Sequence, residues 1–188
     1  APLWRTVALE LNTLMGLIPA LVADLGAHWA DLVVASDASM WGQGVAYARV
    51  EATQVAAAAA VLPRAAPDQQ GLQQQQQQAV EEIGRFGWRG AVSAGWCKAE
   101  HISVLEARAA VTALTWAASS RGVASGRLLF LTDSAAVAGA LSKGRSSSYQ
   151  ILLALRRIAA LSIGLGIRLI ARWIPTHVNP ADGLSRGN

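Results

Sequence analysis

Residues 32–48 read LVVASDASMWGQGVAYA, and the fold turns on how this stretch is divided. Leu32-Val33-Val34-Ala35 is a short, uninterrupted apolar run that ends at Asp37, as expected of a strand buried on both faces. Gly42-Gln43-Gly44 supplies small residues for a turn, and Val45 to Ala48 reads as a second strand, paired with the first as a hairpin. Outward from this hairpin, Ala91 to Cys97 reads as a third strand. Val104 to Ser119 reads as a long helix closed by Arg121-Gly122. Arg127 to Thr132 is a strand ending at Asp133, and Ala135 to Leu141 a small-residue helix. Ser147 to Leu161 is another helix, and Ile167 to Ile174 a final strand. Asn179-Pro180-Ala181-Asp182 opens a short terminal helix. The order β-β-β-α-β-α-α-β-α predicts an α/β fold, a mixed sheet with helices on its faces.

Two regions stand apart from this pattern. Residues 3–30 read as one or two helices, with Leu9, Leu14, Leu17, Ile18, Leu21 and Leu25 near helical spacing and a break at Pro19. Residues 51–90 contain an alanine run (Ala56–Ala60) and a glutamine run (Gln73–Gln78), with Pro63 and Pro67 nearby. This is low-complexity sequence, read as a flexible, disordered and dispensable insertion off the hairpin.

At 188 residues the chain suits one domain with a real core. Its hydrophobic fraction of 53% excludes an intrinsically disordered protein. Arg5, Glu10 and Asp24 interrupt the early apolar stretches and Arg168 and Arg172 the late ones, so no membrane partner is expected. The first segment lacks a signal-peptide pattern and does not start with Met, which reads as part of a longer chain. Cys97 is the only cysteine. That excludes an internal disulfide and a cysteine zinc site, and points to a small buried residue in a reducing, intracellular compartment, cytoplasmic or nuclear. The net charge of +4 rests on 16 Lys and Arg, of which only Lys98 and Lys143 are lysine, a balance that suits a phosphate-bearing partner.

Four of the 12 acidic residues fall at strand ends or helix starts: Asp37, Glu106, Asp133 and Asp182. Each has a structural explanation. Ser103 to Glu106 fits a capping box, Asp133 could cap the helix from Ser134, Asn179 could cap the helix bearing Asp182, and Asp37 could brace a turn. Their conjunction favours a shared task. Strand ends and helix starts gather side chains at one edge of an α/β sheet. Phosphodiester hydrolysis needs an activated water and a neutralised leaving oxygen, which two Mg²⁺ ions held by carboxylates supply.

The same residues carry a family resemblance. Asp37-Ala38-Ser39-x-x-Gly42-x-Gly44 resembles the first-strand motif of ribonuclease H domains. Ile102 to Ala107 resembles their glutamate-bearing helix, and Leu131-Thr132-Asp133-Ser134 their T-D-S/N motif. Trp173 to Arg186, with its N-P-A-D-x-x-S-R ending, is similar to the closing signature of retroelement ribonuclease H. The match runs from about Asp31 to Arg186, with residues 51–90 outside it. It implies a ribonuclease H-like, five-stranded sheet, three antiparallel strands then two parallel. It also implies cleavage of the RNA strand of RNA/DNA hybrids by two Mg²⁺ or Mn²⁺ ions. Asp37 would bridge both ions, Asp182 would share the one that activates water, and Glu106 and Asp133 would hold the one at the leaving group. Ser39, Ser134 and Asn179 would be supporting or substrate-strand contacts. His177 matches either a turnover histidine or an ordinary loop residue, while His28 and His101 read as structural. Residues 1–30 resemble the connection to an upstream reverse-transcriptase polymerase in the same polyprotein, with 31–188 the ribonuclease H-like domain.

Lys143, Arg145 and Ser146 to Ser148 form a basic, hydroxyl-rich loop, with Arg156 and Arg157 following it. This loop region suits contacts to a nucleic-acid backbone, or else a solvated helix end. Two rivals share the fold: another clustered-acid nuclease or integrase-like enzyme, which the terminal signature disfavours, and a non-catalytic module that binds hybrid or serves as a structural part of a reverse transcriptase.

Overall fold

The computed structural model describes residues 4–20, 24, 26–67 and 71–187. Five strands form one sheet: β1 (Trp29–Ala38), β2 (Gly42–Arg49), β3 (Arg89–Gly95), β4 (Arg127–Thr132) and β5 (Arg168–Trp173). Their order is β3-β2-β1-β4-β5. β1 runs antiparallel to β2, and β2 to β3, whereas β4 pairs parallel with both β1 and β5. The mixed sheet is therefore the expected one, three antiparallel strands followed by two parallel.

β1 lies at the centre, which is why its sequence is apolar without alternation. Leu32 and Val34 face one core, with Leu128 and Phe130 of β4 beside them. That face is covered by α4 (Ile102–Ala118) and α6 (Tyr149–Leu165). α4 is rich in alanine where it meets the sheet (Ala107, Ala110, Ala113, Ala117), so its backbone can approach closely. Val33, Ala35, Leu129 and Leu131 point the other way, into a second core.

The second core corrects the expectation for residues 51–90. This segment holds α2 (Ala52–Val61) and α3 (Gln74–Gly84), and neither is a flexible loop. Val55, Ala58, Ala59 and Leu62 recur at helical spacing and are buried, as are Ala79, Val80 and Ile83, all against the strands' second face. Without them Val33, Leu129 and Leu131 would lie open to water. The glutamines of α3 are mostly exposed; the run is the solvent side of a structural helix.

Smaller corrections follow the same logic. Gly42-Gln43-Gly44 is inside β2, and the turn is Ser39-Met40-Trp41, closed by Ser39 N–H on Gly42 O at 2.9 Å. Cys97 is exposed, just beyond β3. α1 (Arg5–Leu17) runs into a 3₁₀ turn at Ile18–Ala20, as Pro19 predicts, and has no buried residue. Leu21 and Leu25, assigned to the same helical region, lie outside the described residues. No helix among the described residues is long and apolar enough to cross a membrane.

Candidate active site

Three of the four acids converge. Asp37 near the end of β1, Glu106 in the first part of α4 and Asp133 just past β4 each offer a carboxylate oxygen within 4.8 Å of the others. The parallel pairing of β1 with β4 brings the first and third to one edge, with Ser36 level with Thr132. α4 crosses that edge and delivers the second. The structural explanations for two of these acids fall away. α4 is capped by His101, whose Nδ1 accepts from Ser103 N–H at 3.3 Å, and Glu106 takes no part in the cap. Helix α5 (Ala135–Lys143) is capped by Ser134, whose Oγ accepts from Val137 N–H, so Asp133 is spared that task.

The cluster is electrostatically uncomfortable. Burial, reinforced by the charges of Asp37 and Asp133, pushes the Glu106 carboxyl up to about 8. Burial also raises Asp37, opposed by a hydrogen bond from Ser185 and reinforced by Asp133 and Asp182. Glu106 Oε2 is buried with no hydrogen-bond partner. An orphaned carboxylate oxygen among like charges costs stability unless a cation meets it. The donor set is all carboxylate oxygen, which suits a hard divalent cation such as Mg²⁺, so the residues fit the metal the resemblance implies.

Asp182 stands beside the trio rather than in it. It opens the short helix α7 (Asp182–Ser185), and its Oδ1 accepts from Arg186 Nη2 at 2.7 Å. It is near enough to bear on the Asp37 carboxyl.

The segment around α7 nevertheless sets the site. Asn179 is buried, and its Nδ2 donates to Asp133 Oδ1 at 2.9 Å and to Ser36 O at 3.2 Å. Its Oδ1 accepts from Ala181 N–H at 3.1 Å. Its side chain is thus engaged with Ser36, Asp133 and Ala181. Ser185, buried, donates a short hydrogen bond from Oγ to Asp37 Oδ2. Sequence reasoning quoted Ser185 and Arg186 within the closing signature but gave them no task. Trp173, which opens the same signature, was likewise given no task, and its indole Nε1 donates to Asp133 O at 2.9 Å.

α7 reaches β2 only because two glycines leave room. A Cβ on Gly44 would collide with Ala181 O and lie 2.7 Å from Ser185 N, and one on Gly42 would lie 3.0 Å from Ser185 O. Ser39 Oγ donates to Ser185 O at 2.7 Å and accepts from Gly42 N–H, fastening the turn to α7. Ser39 and Ser134 are thus both engaged inside the protein. His177 is exposed on a 3₁₀ turn, Thr176–Val178. His28, just before β1, has Nε2 3.0 Å from Gly122 O, whereas Asp37 lies near the strand's other end.

A cavity of about 780 Å³ opens beside the acids. Its walls include His101 and Ser103 ahead of Glu106, Ala135 and Ala136 behind Asp133, and the loop residues Lys143, Arg145 and Ser146 to Ser148. Arg156 does not line it and belongs to a different cavity; Arg157 lines neither.

No protein-family profile and no curated protein matches the sequence. Solved structures do. The chain is similar to LC11-RNase H1, isolated from compost by a metagenomic approach, at 14% identity and a TM-score of 0.51, over 82% of this chain and 91% of that one. The same protein in complex with an RNA/DNA hybrid aligns at 13% identity and a TM-score of 0.46, over 81% and 92%. The N-terminal RNase H domain of a Mycobacterium tuberculosis protein, solved fused to maltose-binding protein, aligns at 14% and 0.47, over 83% and 95%. The chain has the ribonuclease H-like fold.

Proposed function

We propose that this chain is a ribonuclease H-type endonuclease that hydrolyses the RNA strand of RNA/DNA hybrids with two divalent metal ions, Mg²⁺ or Mn²⁺. The observation that carries it is the convergence of Asp37, Glu106 and Asp133 on one sheet edge with a buried Glu106 oxygen left without a partner. Glu106 and Asp133 would hold the ion at the leaving group, Asp37 would reach both, and Asp182 would share the second. Bound there, the ions supply an activated water and offset the charge on the departing oxygen.

The chain's own residues do the positioning. Asn179 fixes the Asp133 carboxylate, Ser185 fixes that of Asp37, and Arg186 holds Asp182 at the rim. Lys143, Arg145 and the serines after them would meet backbone phosphates along the adjoining cavity, which orients the hybrid without reading its sequence.

The reading extends to origin. In the closing signature, Asn179, Asp182, Ser185 and Arg186 all serve the site, which supports descent from a retroelement reverse transcriptase. The exposed apolar residues of α1, Leu9, Leu11 and Leu14 among them, support a place for that helix against an upstream polymerase domain. The exposed thiol of Cys97 suits an intracellular, reducing compartment.

A labelled RNA/DNA hybrid offered with Mg²⁺, beside single-stranded RNA and duplex DNA, tests the activity. Cutting confined to the RNA of the hybrid, and lost both with EDTA and in a folded Asp37→Asn variant, is the expected result. A folded, Mg²⁺-supplied protein that binds hybrid without cutting it would replace this reading with that of a non-catalytic module. The place of Asp182 outside the trio is the observation that favours this second reading.

A further inference from the structure

A second cavity, of about 400 Å³, lies between α6, β5 and the ends of α2 and α5, and shares no lining residue with the one beside the acids. Its floor is apolar, formed by Leu152, Leu155, Ile158 and Leu169. Its polar groups include three arginines: Arg64 just after α2, Arg156 on α6 and Arg172 on β5. No acidic residue lines it, and among the described residues none of the three arginines is paired with a carboxylate.

Arg172 is the telling member. It is half-buried, with Nε donating to Ala59 O at 2.8 Å and Nη1 to Ala171 O at 2.9 Å. These bonds fix the guanidinium plane and leave Nη2 without a hydrogen-bond partner among the described residues. Burial lowers its pKa, and the charge of Arg64 lowers it further. Like charges held together on a half-buried site, with no counter-charge from the described residues, are stabilised by an anion. Guanidinium forks suit phosphate, whose several oxygens can accept from more than one arginine. The volume is that of a small-molecule site, and the leucine floor offers a dry face to a flat ring.

We propose that this cavity binds a small organic phosphate of nucleoside monophosphate size, its ring on Leu152, Leu155 and Leu169 and its phosphate between Arg64, Arg156 and Arg172. The inference is independent of the acidic site and of the hydrolysis proposed for it.

Titration of AMP into the whole chain in EDTA, followed by calorimetry, tests it. Saturable binding is expected, weakened about tenfold or more in Arg64→Glu and in Arg156→Glu, a loss of about 1.4 kcal/mol each. Both side chains are exposed, so these variants keep the fold, which thermal unfolding verifies. Adenosine should bind at least about tenfold more weakly than AMP, and inorganic phosphate should compete with AMP, as expected if phosphate and ring both contribute. Lys143→Glu, in the other cavity, should leave binding unchanged. Absence of saturable AMP binding at millimolar concentration overturns the proposal. So does binding that survives both arginine variants, or binding lost in Lys143→Glu alone.

Discussion

Asp133 shows how much of an acidic site is built by residues that carry no charge. Its carboxylate is held by Asn179 and its carbonyl by Trp173, while Ser134 takes over the capping task that would otherwise compete for it. Asn179→Ala should therefore lower hybrid cleavage and cost about 1–3 kcal/mol in denaturant unfolding, since Ser36 O and Ala181 N–H lose their partner too. Glu106 makes a prediction in pH. Its ordinary value is 4.5 and burial, with Asp37 and Asp133, raises it to about 8 in the folded protein. Between those values the folded state keeps a proton the unfolded chain has released, so this contribution is full below the lower value and lost as pH rises through the upper. In EDTA, the melting temperature should fall from about pH 5 to about pH 8, and Glu106→Gln should flatten the fall. Added Mg²⁺ should raise the melting temperature most at the upper end, where its ligands are deprotonated. The clustering of Asp37, Glu106 and Asp133 was legible in the sequence because each lies at the end of a strand or the start of a helix. Asn179 was expected to support the site or touch substrate, but its partners were not legible, because Ser36 and Asp133 are 143 and 46 positions away.

At the scale of elements, the strands and the large helices followed from local pattern, whereas α2 and α3 did not. Val55, Ala58, Ala59 and Leu62 carry the helical spacing, but inside an alanine run small buried residues do not stand out from their neighbours. In α3 the glutamines mask the stripe formed by Ala79, Val80 and Ile83. Half of the sheet's core depends on these residues. Ile83→Ala should cost about 2–5 kcal/mol in urea unfolding. Replacing the exposed Gln74, Gln75, Gln77 and Gln78 by Glu or Ala should stay within about 0.5 kcal/mol. Deletion of residues 52–89 should leave no cooperative unfolding transition, and a deletion protein that still melts cooperatively would show the second core to be unnecessary.

For the molecule as a whole, the two large cores on either face of the sheet and a small cluster of Ala38, Leu105 and Ala109 hold most of the buried residues, and α1 contributes none. Removing residues 1–20 should leave the melting temperature and the hybrid-cutting rate unchanged. A fall in either would mean that α1 docks on the domain.

The Asn179-to-Ser185 segment, which bonds to Asp133 and Asp37, lies after all five strands in the sequence. Domains fold in order of emergence from the ribosome, at about 5–20 residues per second. The acids at the sheet edge are therefore braced only by the last residues of the domain to be made, so the site is completed last. A chain stalled short of Asn179 would carry Asp37 and Asp133 without the hydrogen bonds that fix their carboxylates.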